Sequence, residues 1–304
     1  MLDYTGFKNE FITLCRQKLD ESAFASTSNK VFIEEHTVKK AQYGELTGLI
    51  FRTGGSTCSP TIYVEDFFRM YKSGLSVDDL SLAALANVVP YINTTPDFPE
   101  NAFEDAANLR VRLLNSSRNR EYLKSVPHID SGCGLALIAE VRSGEFRAVV
   151  TDGLLDSMEI SRDELFETAL ENSAVEEPPV LYSLPELLEE GHCSCRNYLN
   201  EGGSPVLASD ITLYMLSNKE CFRGAAVLFY PGMTAKLCEL LGGAFYVLPS
   251  SVHELLLLPV AEGDPQKLGS IISSANRTVV SDDDYLSDDL FICEAGTLRK
   301  ISFK

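Results

Sequence analysis

The chain has 304 residues, 45% of them hydrophobic and 23% charged, ordinary globular values that exclude a disordered chain. Its 44 acids against 26 bases leave a formal net charge of -18, which repels phosphate backbones and disfavours non-specific nucleic-acid binding. Met1 to Lys8 lacks the basic and apolar pattern of a secretory signal, and the longest apolar run, Leu255 to Val260, contains Pro259 and is far short of a membrane span. Eight mostly unclustered cysteines fit reduced thiols better than a disulfide frame, so a cytoplasmic protein is expected. Single cores rarely grow past about 250 to 300 residues, so two subdomains are expected, 1–95 and 96–304. Acidity concentrates between Asp152 and Glu190, with twelve acids and one base, and between Glu262 and Glu294, with eight and two.

Phe7, Phe11, Leu14, Cys15 and Leu19 recur at helical spacing and predict an amphipathic helix over 3–20. Strand-like segments follow at Lys30–Thr37, Glu45–Arg52 and Ser59–Val64, the last two joined at Gly54-Gly55. Glu65–Tyr71 turns helical and stops at Gly74, and Ser76 caps a further helix that should end before Pro90. Pro96 and Pro99 mark the internal boundary. Beyond it a strand is expected at Asn108–Leu114, a helix at Ser117–Lys124, and a hairpin of Leu135–Val141 with Glu145–Val150. Ser161 and Glu164 stand at capping-box spacing before a helix through Leu170. The last third predicts strands at Thr212–Leu216 and Ala225–Tyr230, then a helix with Pro231 at its first position, ending at Gly242-Gly243. Strands at Phe245–Leu248 and Leu255–Val260, a helix at Asp264–Ala275 and a hairpin around Ala295-Gly296 complete an α+β fold, mostly antiparallel sheets with inserted helices.

The phosphate-loop, dinucleotide, zinc-protease and nucleophile-elbow signatures are absent. His192, Cys193 and Cys195 are metal-ligand types, but the two cysteines are two apart and no second pair stands at finger-like spacing; neither a metal nor another cofactor is expected. The richest chemical cluster is Leu248-Pro249-Ser250-Ser251-Val252-His253-Glu254. Ser250, Ser251, His253 and Glu254 are the ingredients of an activated nucleophile. On an extended strand, however, His253 and Glu254 point to opposite faces, and Ser251 and His253 stand roughly 7 Å apart. The preferred reading is a tight turn in which His253 bonds a turn carbonyl through one ring nitrogen. Tyr63 and Glu65 flank a strand-to-helix transition and would share a face while the strand lasts. Arg110, Arg112, Arg118, Arg120 and Lys124 form the one basic concentration, suited to an anion or, preferably, to the chain's own acidic segment.

Several stretches together resemble an uncharacterised group, domain-of-unknown-function family 5688, of gut clostridia and related Firmicutes. They are Ser59 to Glu65; Leu114-Asn115 with Asn119, Leu123 and Pro127-His128; Glu164-Leu165 with Ala169 and Asn172; Asn218 with Gly224-Ala225-Ala226 and Tyr230-Pro231; and Leu248 to Glu254. Lys39-Lys40-Ala41-Gln42 departs from the lysine followed by asparagines expected there. The second half is also distantly similar to another widespread uncharacterised bacterial family with a proline-polar turn near its end. Neither resemblance brings an activity. Tyr63, Glu65, Asn115 and Asn218 are the binding candidates. The expected function is a non-enzymatic cytosolic interaction or regulatory protein, with another protein as partner and neither nucleic acid nor membrane. The alternatives are a hydrolase using Ser251 or Ser250, His253 and a distant acid, and a small-molecule sensor. The sequence is silent on oligomeric state.

Overall fold

A computed structural model describes residues 1–21, 30–53, 59–92, 101–144, 146–190, 195–200 and 213–302. They divide into two compact units, Met1–Pro99 and Glu100–Lys304. Among the described residues no helix is long and apolar enough to cross a membrane.

In the first unit, α1 (Tyr4–Asp20) begins where the Asp3 carboxylate accepts the Gly6 N–H, and its i, i+4 stripe Phe7, Phe11, Cys15 and Leu19 is buried. The strands β1 (Val31–Lys40) and β2 (Gly44–Thr53) pair antiparallel from Val31↔Thr53 to Lys40↔Gly44, and β3 (Thr61–Tyr63) adds to the other edge of β2. The expected Gly54-Gly55 turn lies outside the described residues. Helix α2 (Val64–Lys72) leaves β3 directly and the chain turns at Gly74, whose φ of +110° favours glycine. Ser76 Oγ caps α3 (Val77–Ile92) through the Asp79 N–H. This helix does not stop before Pro90. Val88 and Ile92, one turn apart, are both buried in the unit's core, and that packing outweighs the hydrogen bond Pro90 cannot donate.

The second unit holds two antiparallel sheets that share one core. The smaller consists of β4 (Leu109–Asn115), β5 (His128–Asp130), β6 (Leu135–Ser143) and β7 (Phe146–Val149), with β4 on one edge of β6 and β5 and β7 in succession along the other. Two helices follow, α4 (Asp152–Met158) and α5 (Arg162–Glu176), the latter opened by the complete Ser161–Glu164 capping box. The larger sheet has the order β13-β12-β10-β11-β9-β8, built from β8 (Pro179–Ser183), β9 (Tyr214–Asn218), β10 (Phe245–Pro249), β11 (Leu255–Pro259), β12 (Phe291–Glu294) and β13 (Thr297–Lys300). Between them lie α6 (Leu184–Glu190), α7 (Met233–Leu240) and α8 (Pro265–Val279). Alternation decides the layers. Leu109, Val111 and Leu113 of β4 and Leu135, Leu137 and Ala139 of β6 meet Leu216, Phe245, Val247 and Leu257 of the larger sheet in one core. Tyr246, Leu248 and Leu258, on the other face of that sheet, pack against Ile272 of α8.

Three expected elements of the second unit differ. Ala225–Tyr230 is not a strand; Gly224–Phe229 winds as a 3-10 helix. Gly224 to Leu228 are all buried, so they carry no alternation to separate the two possibilities. Ser117–Lys124 is a set of turns closing in a short 3-10 helix at Tyr122–Ser125. There the Asn115 and Asn119 side chains take up the nearby backbone groups a regular helix would use. Pro231 is not the first residue of α7. With Gly232 at φ +73° and the Met233 N–H on the Tyr230 carbonyl, it makes a type II turn ahead of the helix.

Candidate functional site

Strands β4, β9 and β10 end, and β11 and β12 begin, at one end of the second unit, so four loops (116–119, 219–224, 250–254 and 281–290) converge there. Hydrogen bonds tie them together. Asn115 donates to the Leu286 carbonyl at 2.8 Å and accepts the Arg118 N–H at 2.8 Å, while Asn119 donates to the Asn115 carbonyl at 2.7 Å. Asn218, fully buried, brackets its own loop by donating to the Phe222 carbonyl at 2.8 Å and accepting the Phe222 N–H at 3.1 Å. The Val252 N–H reaches the Asp284 carbonyl at 2.8 Å, and the Ala225 N–H the Val252 carbonyl at 3.2 Å. Gly224 is required where the 3-10 helix crosses this knot: a Cβ there would fall 2.2 Å from Ser217 Oγ, 2.5 Å from Asn218 N and 2.8 Å from the His253 carbonyl oxygen.

β10 and β11 form a hairpin from Phe245↔Pro259 to Pro249↔Leu255, so Ser250 to Glu254 are its connection. Ser251 is buried, and its Oγ accepts the His253 N–H at 3.0 Å, while its own N–H reaches the Glu254 carbonyl at 3.3 Å. The His253 ring does not bond a turn carbonyl as expected. Its Nδ1 accepts the Arg223 N–H at 3.0 Å, because Arg223 is held at φ +56° ahead of the 3-10 helix. An accepting Nδ1 fixes the neutral tautomer with the proton on Nε2, which donates to Asp284 Oδ1 at 3.0 Å. Asp284 is held in turn by the Ser281 hydroxyl at 2.7 Å. Ser251, His253 and Asp284 are therefore neighbours without the hydrogen bond from serine to imidazole that an activated nucleophile needs. Ser250 is half-buried at the head of the turn, and the Glu254 carboxylate, with burial the larger cause, pushes up the Cys221 thiol.

Tyr63 and Glu65, in the first unit, are not brought together. The strand ends at Tyr63, so Glu65 already rides on α2 and is rotated away. Its carboxylate accepts the Thr47 N–H at 2.9 and 3.1 Å and the Tyr4 hydroxyl at 2.5 Å. Burial and then this carboxylate push the Tyr4 phenol up to about 12. Tyr63 instead carries Lys40 Nζ over its ring at 5.0 Å. His192 and Cys193 lie outside the described residues, and Cys195 packs beside Val180, Tyr182 and Met215. Among the described residues no three His, Cys, Asp or Glu side chains group as metal ligands.

Beside the knot is the outer face of the smaller sheet. Register places Arg110 opposite Glu140 and Arg112 opposite Ile138. Arg110 donates to the Ala107 and Leu109 carbonyls and lies 3.9 Å from Glu176 of the acidic segment. Arg118 pairs with Asp282, Lys124 with Glu121, and Arg142 with both Glu177 and Glu220. Arg223, whose backbone holds His253, turns its guanidinium onto the buried Glu140. Arg110 and Arg112 both have an Nε sealed from solvent without a partner, but of the two only Arg112 has no hydrogen bond or ion pair to its guanidinium among the described residues. Burial lowers its proton affinity, the Arg223 charge adds to that, and the Glu140 and Asp283 carboxylates work against it. Burial pushes up the Tyr122 phenol, and the Arg112 charge works against that.

The sequence singled out His253, Ser251, Asn115 and Asn218 but missed Asp284, Arg223, Glu140 and Tyr122. Asp284 is the last of three consecutive aspartates and reads as part of a solvated acidic run. Arg223 and Glu140 meet only through folding, 83 residues apart.

The fold and its polar end define an α+β protein of two units. Comparison with known families places the chain in a family of unknown function, DUF5688, whose model matches residues 4–293, and the chain belongs to it. No curated protein and no solved structure matches it.

Proposed function

We propose that this chain is a non-enzymatic interaction or regulatory protein of the cytoplasm, with another protein as its partner and without nucleic-acid or membrane binding. The observation that carries the reading is the occupation of both His253 ring nitrogens, one by a backbone N–H and one by Asp284. A ring so held offers no lone pair to Ser250 or Ser251, and the Ser251 hydroxyl is engaged with the backbone. The net charge of -18 supports the exclusion of phosphate backbones. The test is a screen of the full chain against ester and peptide substrates, run beside the His253→Gln variant. No turnover by the parent and a lowered melting temperature for the variant are expected. Turnover by the parent, lost in a variant that melts normally, establishes the hydrolase instead. The small-molecule sensor is the second reading, favoured by one observation: the unpartnered Arg112 beside the knot.

A further inference from the structure

Within the basic concentration, Arg110, Arg118 and Lys124 each meet an acid, Glu176, Asp282 and Glu121 in turn. Arg120 has no hydrogen bond or ion pair among the described residues, and it lines a cavity of about 330 Å³. Part of the same lining comes from β5. Leu135, Leu137 and Ala139 of β6 point into the core, so Ala136 and Ile138 face outward, and with them their partners Asp130 and His128. On that outer face these two side chains bound the cavity together with the connection from β4 to β5, to which Leu123 adds an apolar surface. The β5 part accepts hydrogen bonds. His128 Nδ1 lies 2.9 Å from the Val126 carbonyl, which can only accept, so the ring proton sits there. Nε2 is left as an acceptor with no partner among the described residues. Asp130 takes the Gly132 N–H at 2.9 Å on one oxygen and pairs with no cation among them. The connection, in contrast, donates. It offers the Ser116 and Ser117 hydroxyls, neither of them hydrogen-bonded within the described residues, and the Arg120 guanidinium. Arg120 and Asp130 therefore share one cavity, opposite in charge, without meeting as an ion pair.

We infer that this cavity binds a small zwitterion of the amino-acid class, its carboxylate on Arg120 and the serine hydroxyls, its ammonium on Asp130 and His128 Nε2. The inference gives the sensor reading a ligand class, and its test uses no residue of the His253 knot, so either can fail alone. Guanidinium holds a carboxylate through paired N–H···O bonds, and an ammonium brings three donors to the two acceptors on β5. The charges choose between ligands. Lys124 also lines the cavity but is matched by Glu121, which leaves one cation, Arg120, and one carboxylate, Asp130. A zwitterion satisfies both. A simple anion would sit beside an unmatched Asp130, and a simple cation beside an unmatched Arg120. The volume stands at the low end of ligand cavities, about 300 to 1,000 Å³, and so suits a molecule of few heavy atoms.

The experiment is thermal unfolding and calorimetric titration of the full chain with the common L-amino acids, taken singly, beside sodium acetate and methylammonium chloride. At least one amino acid is expected to raise the melting temperature in a saturable way. Acetate and methylammonium, each carrying only one of the two charges, should have no such effect at the same concentration. Arg120→Gln and Asp130→Asn are each expected to weaken the binding by about tenfold or more, the scale of a lost charged hydrogen bond. Both residues are exposed, so both variants should fold; if one does not, the other decides. No saturable effect from any amino acid overturns the inference. So does acetate or methylammonium acting as strongly as the best amino acid, or a folded variant of either residue that binds as tightly as the parent.

Discussion

The loops around His253 and the arginine face next to them, both in the second unit, treat buried polar groups in opposite ways. In the loops, the side chains of Asn115, Asn218, Ser251 and His253 are each spent on a backbone neighbour, and Asp284 completes the set. On the face, Arg112 and Tyr122 keep donors to spare. Arg223 belongs to both, its backbone in the first and its guanidinium in the second. On the proposed reading, a cluster rich in serine, histidine and acid is a structural fastening, its polar groups engaged in hydrogen bonds that Arg112 lacks. Reactive residue types do not mark a site when their lone pairs and protons are already committed.

Four substitutions break or sharpen that contrast. Gly224→Ala has the largest expected effect. Its Cβ would strike Ser217 Oγ and two backbone atoms, and the backbone atoms cannot rotate away, so the loss should reach about 3 kcal/mol or prevent folding, read from denaturant midpoints. Asn115→Ala follows, at about 2 to 3 kcal/mol in the same assay, because it strips the Leu286 carbonyl and the Arg118 N–H of their partner together. His253→Gln should cost about 1 to 2 kcal/mol, since glutamine replaces at most part of the two ring hydrogen bonds. Arg112→Met carries the smallest expected effect and the opposite sign. It should leave stability unchanged or raise it by about 1 kcal/mol, because a covered, unpaired charge gives way to an apolar chain of similar length. A large loss on Arg112→Met places Arg112 with the fastening residues and removes the contrast.

Much of the fold was legible where pattern and punctuation agree. The stripe Phe7, Phe11, Cys15 and Leu19, the Ser161–Glu164 box and the apolar runs on either side of Pro249-Ser250-Ser251 each predict the element observed. Legibility failed where burial is complete or side chains compete with the backbone. Gly224 to Leu228 lacks alternation because all five residues are buried, and Asn115 with Asn119 unmakes the helix expected after them. Strand β8 was not legible because it opens on Pro179 directly after Pro178, and prolines argue against a strand. For the site, the turn at Ser250 to Glu254 was visible, but its partners were not. Asp284 reaches His253 across 31 residues and Arg223 reaches it across 30, distances at which spacing carries no information.

The proton on the His253 ring tests the structural assignment of this residue most directly. The chain has four histidines, so the ring nitrogens of each can be resolved by nitrogen-15 NMR of the full chain at about pH 8, above the ordinary histidine range. Nδ1 as the acceptor of the Arg223 N–H and Nε2 as donor to Asp284 require one tautomer, with the proton fixed on Nε2 and slow to exchange. A ring protonated at Nδ1, or one that exchanges freely between the two tautomers, contradicts the structural assignment and returns His253 to the role of a base.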